Sequence, residues 1–156
     1  MFVVADVQGF RGRHGEFVLK EAAFIHDGEM TSFLFKPPYG WEELPPDIRR
    51  TNIFLKRRYH GLAWDYGDLA YSHVRATLRQ HMHGIVFVKG VDKIRWLREL
   101  AGGDFHIVDL HQFGCPTLQR LRKPPCLSAQ TNVIKLAEWL KMYICCEGLK
   151  SLTQTK

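Results

Sequence analysis

The chain has 156 residues and a formal net charge of +6, with 46% hydrophobic and 24% charged residues. That length suits one domain with a real core, and the composition excludes disorder. No apolar run approaches a membrane span, and the start lacks the n- and h-regions of a signal peptide. An intracellular protein, cytoplasmic or nuclear, is the expectation.

The first third reads as strands. FVVADVQ is an apolar run with little alternation, as in a strand buried on both faces. GRHG supplies a turn, and EFVLKEAAFI follows as a second strand. HDGE, with Asp27-Gly28 at its centre, suits a two-residue hairpin into a third strand, TSFLFK. PPYGWEELPPD ends this antiparallel meander. A helical pattern runs from Asp47, as its cap, to His60, with Ile48, Leu55 and Tyr59 on one face. GLAWDYGD is an aromatic loop, and Tyr71, Val74 and Leu78 mark a second helix. His81 and His83 fall at its end and face the helix dipole.

GIVFVKG is a further strand. VDKIRWLRELAGG is a helix with Ile94, Leu97 and Leu100 on one face, stopped by Gly102-Gly103. FHIVDL is a short strand. The last helix, near 130–145, carries Val133, Leu136, Leu140 and Tyr143 on one stripe, with Ile134 and Trp139 beside it. The β-α-β units imply parallel pairing through right-handed crossovers. The expected fold class is therefore α/β: a three-strand antiparallel meander leading into parallel strands, with helices on both faces. Residues 1–147 form one domain and 148–156 a short tail.

Cys115, Cys126, Cys145 and Cys146 are too few and too clustered for a disulfide scaffold. The last two read as reduced, partly buried thiols. His111, Cys115 and Cys126 are candidate zinc ligands, but their spacing lacks the short pairs of zinc sites. There is no Walker loop, no G-x-G-x-x-G and no nucleophile elbow. The positive charge permits an acidic partner. Cations lie beside aromatics at Lys56, Arg57, Arg58, Tyr59 and His60. Further cations are Lys89, Lys93, Arg95 and Arg98 at a strand-helix corner, and those of RLRKPP at 120–125. Phosphates want such cations, and bases stack on rings such as Tyr59, Trp64 or Tyr66.

Five landmarks in order resemble the DnaQ-like, DEDD-type exonucleases of the ribonuclease H-like superfamily. ADVQG stands where that family has D-x-E in the first strand, and KEAAFI where the second has a pattern like E-I-A-x-V. YHGLAWDYG is similar to its G-I box, VFVKGVDKIRWL fills its third motif, and LSAQTNVIKL its last helix. The chain is also similar to a set of invertebrate proteins that open on a D-V-Q-G-F box, a likeness that brings no activity with it.

The resemblance implies a ribonuclease H-like fold and, in intact members, acids around two divalent metals that activate water. Here Asp6 survives. Gln8 and Asn132 stand where two acids belong, Leu127 where the general-base histidine belongs, and Lys89-Gly90 where the family has His-Asn. Neutral amides are poor substitutes for bridging carboxylates. The expectation is a catalytically degenerate domain that binds single-stranded DNA or RNA, or a protein. Asp6, Gln8 and Asn132 would mark the former metal centre, with the Lys89 ammonium paired to Asp6 in place of metal. The candidate nucleic-acid-binding residues are Lys56, Arg57, Arg58, Tyr59, His60, Trp64, Lys89, Lys93 and Arg95. Two rival expectations stand. One is a magnesium- or manganese-dependent nuclease in which Asp109 or Asp65 rescues the site. The other is a protein-interaction domain of mobile-element origin.

Overall fold

The computed structural model describes residues 2–118 and 128–154, with side chains up to Glu147. RLRKPP (120–125), Cys126 and Leu127 lie outside the described residues. Five strands are formed: β1 (Phe2–Arg11), β2 (Phe17–His26), β3 (Glu29–Leu34), β4 (Ile85–Val88) and β5 (His106–Asp109). Among the described residues the α-helices are α1 (Pro46–Leu55), α2 (Val74–His81), α3 (Val91–Ala101) and α4 (Ala129–Gln154).

The strands form one mixed sheet in the order β3-β2-β1-β4-β5. β1, β2 and β3 pair antiparallel, whereas β1–β4 and β4–β5 are parallel. The β2–β3 turn places Asp27 at φ 49° and Gly28 at φ 79°. Left-handed values at both central residues match the right-handed twist of a hairpin, which is why Asp-Gly serves there.

β1 is the central strand, and its alternation divides the core. Val3, Ala5 and Val7 join Leu78 of α2 and Ile94 and Leu97 of α3 on one face. Val4 packs with Leu136 and Leu140 of α4 on the other, and Ala23 of β2 meets Ala129 and Val133 there. Helices thus cover both faces, and each large side chain so buried contributes about 1.5–3 kcal/mol. A third cluster closes the far end of the β1–β2 hairpin, where Phe10, Val18 and Leu44 surround Trp64.

Four local expectations need correction. Pro45 and Pro46 start α1 and Asp47 lies in its first turn without a capping bond, because proline's fixed φ already suits that position. The helix does not run unchanged to His60. It widens into a π turn over Lys56–His60, closed by a Gly61 N–H bond to the Lys56 carbonyl (2.9 Å). The last helix runs through Gln154 rather than stopping near 145, and Cys145 and Cys146 on it are exposed thiols, not partly buried ones. Among the described residues no helix is long and apolar enough to cross a membrane.

Candidate functional site

Asp6 sits in the middle of β1, fully buried, on the face covered by α4. Its Oδ2 accepts a hydrogen bond from Asn132 Nδ2 (2.9 Å), one turn into α4. Its Oδ1 meets the ammonium of Lys93 at 2.5 Å. The recorded β1–β4 ladder ends at Val4↔Phe87, two residues before Asp6. Beyond that point β1 has no strand neighbour on that side among the described residues, and the ammonium reaches Asp6 there. Lys93 lies in the first turn of α3, where side chains lean toward the helix start. That lean aims it at the carboxylate.

Lys89 was expected to make this ion pair. Its Nζ instead bonds His111 Nδ1 (3.1 Å), because it leaves the chain before Gly90, whose φ of 110° turns the backbone into α3. The ammonium that meets Asp6 is therefore that of Lys93. Gln8, two residues past Asp6, is half-buried opposite Glu21 of β2.

Neither rescue acid reaches Asp6. Asp109 Oδ1 accepts from the backbone N–H groups of Gly90 (3.0 Å) and His111 (2.9 Å), and so fastens the ends of β4 and β5. Asp65 is exposed and acts electrostatically on Lys20. The acid close to Asp6 is one that sequence reading passed over. Glu21 is buried and accepts from the N–H groups of Ala129 and Gln130 (3.3 Å for the latter) at the start of α4. Burial raises its pKa, the two N–H groups pull it down, and Asp6 pushes it up again. A carboxylate at a helix N-terminus satisfies orphan donors and the helix dipole. Its signal in the sequence was a lone Glu inside an apolar strand.

Lys20, beside it, was also missed. The β1–β2 register slips between Gln8 and Gly9, which leaves Lys20 as the extra residue of a bulge. Its ammonium, fully buried, donates to the carbonyls of Phe35 (2.6 Å), Trp64 (2.7 Å) and Tyr66. Three donors meet three acceptors, and the aromatic loop is pinned to the end of β3. Burial lowers the Lys20 pKa to about 8, with Asp65 opposing.

A cleft of about 410 Å³ opens beside Gln8 at the end of β1. Arg11, Lys89 and Lys93 supply its cations, and the exposed Tyr59 and the half-buried Trp96 are among its rings. Trp96 stacks on Phe17 with ring centres 4.1 Å apart and planes 3° off parallel, and the Arg11 guanidinium lies 5.2 Å from the Trp96 ring centre. Tyr59 projects from the π turn against Phe54. Lys56, Arg57 and Arg58 are exposed on that turn.

Three of the expected nucleic-acid contacts are placed otherwise. His60 is buried: its Nε2 lies 3.0 Å from the Gly9 carbonyl and its Nδ1 accepts from the Leu62 N–H, so the ring fastens the loop to β1. This pattern makes it a neutral imidazole, with burial lowering its pKa to about 4. Trp64 is buried among Phe10, Tyr39 and Trp41 and donates to the Tyr39 carbonyl (3.0 Å), which leaves no ring face for a base. Arg95 does not line the cleft and pairs with Asp92 (3.1 Å). Of the zinc candidates, His111 is exposed and engaged with Lys89, and Cys115 is buried.

Among the described residues the surroundings of Asp6 do not suit two divalent metals. Both oxygens of Asp6 are engaged, one by a cation, Gln8 and Asn132 are amides, and the one acid nearby, Glu21, is taken up by the start of α4. Among the described residues no three of His, Cys, Asp and Glu converge as a metal-ligand set. No protein-family model, curated protein or solved structure matches the chain.

Proposed function

We propose that the chain is a catalytically degenerate, exonuclease-like domain of ribonuclease H-like fold that binds single-stranded nucleic acid in the cleft beside β1. The observation that carries this reading is the Lys93–Asp6 ion pair. The carboxylate standing where the resemblance puts the first metal ligand is neutralised by the protein's own ammonium. A buried pair of this kind holds the site closed without metal, and a divalent cation would have to displace it.

The strand order and directions support the fold. The cleft supports the ligand. Arg11, Lys89 and the exposed cations of the π turn offer partners to a phosphodiester chain, and Tyr59 offers a face to a base. Stacking and backbone charge are sequence-tolerant, so DNA and RNA are both admitted.

The test is fluorescence anisotropy of labelled single-stranded DNA and RNA oligonucleotides at two salt concentrations, beside a nuclease assay with magnesium and with manganese. The expected result is salt-weakened binding without cleavage. Tyr59→Ala should weaken binding about tenfold, in the range of one lost base stack. Lys89→Ala should lower the salt slope by about one. No binding at low salt would remove the nucleic-acid reading. Cleavage abolished by Asp6→Ala would remove the degenerate one.

A further inference from the structure

The inner side of α1 and the π turn after it is fixed to the body at two points. Asn52 is buried and clamps β1: it accepts from the Arg11 N–H and donates to the Arg11 carbonyl, both at 2.8 Å. His60 fastens the end of the π turn to Gly9. Ile48 and Leu55 pack beside them against the cluster around Trp64. Between these anchors the other side faces solvent. Ile53 is 41% exposed and Phe54 53%, and Arg50, Lys56, Arg57 and Arg58 are exposed around them.

These residues form one ridge. Arg50, Ile53 and Phe54 are neighbours at three- and four-residue spacing on α1, and Arg57 follows in the next turn. Phe54 packs on Tyr59 with ring centres 5.9 Å apart, which joins their apolar surfaces. From Pro46 to His60 the chain carries five cations and a single acid, Asp47, so the ridge is positive. Among the described residues, none of Arg50, Lys56, Arg57 and Arg58 makes an ion pair. Their charge is not neutralised within the protein.

We propose that this ridge docks on an anionic lipid surface. Ile53 and Phe54 enter the headgroup boundary, and the four exposed cations meet the acidic headgroups. Shape and chemistry favour that partner over a nucleic-acid strand. The outer side of a helix is convex, and neither Ile53 nor Phe54 lines the cleft. An exposed isoleucine neither stacks on a base nor bonds a phosphate, but it gains by leaving water for acyl chains. Long cationic side chains beside it keep their heads at the headgroup level while their stems lie along apolar surface. Because Asn52 and His60 already hold the ridge, docking needs no ordering of the segment. The assignment concerns a face outside the cleft and does not depend on what the cleft binds.

The experiment is co-sedimentation of the full chain, without nucleic acid, with vesicles of phosphatidylcholine alone and of phosphatidylcholine mixed with phosphatidylserine. Binding is expected to the mixed vesicles only, and weaker at higher salt. Phe54→Ser should weaken it about tenfold and Arg57→Ala about fivefold. Lys141→Ala, an exposed cation on α4, should leave it unchanged. Phe54→Trp reports insertion: the fluorescence it adds to the wild type should be quenched by lipid brominated in its acyl chains. Phe54→Ser should keep the wild-type circular dichroism spectrum and oligonucleotide affinity. No sedimentation with the mixed vesicles, equal losses in Arg57→Ala and Lys141→Ala, or no quenching would overturn the assignment. Phe54→Ser that loosens an oligonucleotide but not the vesicles would give the ridge to nucleic acid and overturn it as well.

Discussion

Replacing Lys93 by Met isolates the interaction on which the closed site depends. The Lys93 ammonium stands 2.5 Å from a fully buried carboxylate and is itself 17% exposed. At an effective dielectric of about 20 the attraction is roughly 7 kcal/mol. Desolvation of both ions offsets most of it, so the pair as a whole stabilises the fold only slightly. Removing one partner is different. Asp6 then keeps the hydrogen bond from the Asn132 amide but has lost its cation, and a buried carboxylate stripped of its ion-pair partner costs about 3–5 kcal/mol. Against a typical total of about 5–15 kcal/mol this is a large loss.

The loss should also depend on pH. In Lys93→Met the unpaired negative charge is what costs stability, and protonating the carboxyl removes that charge. Urea denaturation at pH 7 and pH 5 should show the deficit shrinking on acidification. The double variant Asp6→Asn/Lys93→Met removes both charges and should recover to within about 1 kcal/mol of the wild type. A single variant that loses under about 1 kcal/mol at both pH values would refute the reasoning. So would a double variant less stable than the single.

Three further outcomes test the supports of the site. His60 has its folded pKa lowered to about 4 from 6.5, so its contribution of about 3 kcal/mol is present above pH 6.5 and lost as pH falls toward 4. His60→Gln should flatten the stability profile between about pH 6.5 and 5, and an unchanged slope would count against the neutral buried ring. Lys20→Met leaves three carbonyls without their donor and should cost about 3 kcal/mol by urea denaturation. The wild type should gain stability as pH rises from about 8 toward 10.5, where the unfolded chain still holds the Lys20 proton. That gain should vanish in the variant. Glu21→Ala removes the acceptor at the start of α4 and should cost about 1–2 kcal/mol, with earlier amide exchange in the first turn of that helix.

The sheet was legible because its signals are local. An unalternating β1, an Asp-Gly turn and the glycines around β4 and α3 state strand, hairpin and crossover within short windows. The same windows misjudged the segment after α1. A helical period and a π turn share residue types there, and only packing against Gly9 draws His60 inward. Trp64 was misplaced for a similar reason: a tryptophan in a polar loop reads as exposed until the Lys20 clamp folds that loop onto Phe10. Glu21 and Lys20 were passed over because single charged residues in an apolar strand do not say which buried partners await them.

The residues of the closed site follow the same division. The sequence by itself determined that Asp6 stands on a strand buried on both faces and that the residues the resemblance sets beside it, Gln8 and Asn132, are amides. It also determined that several cations follow β4. Which cation reaches Asp6 was a matter for tertiary structure. Lys89 and Lys93 differ little in composition or spacing, but a glycine with positive φ lies between them. One is sent to His111, and the other, leaning back from the first turn of α3, to the carboxylate. Side-chain direction across the end of a ladder depends on backbone geometry over three elements, and no short stretch of sequence encodes it.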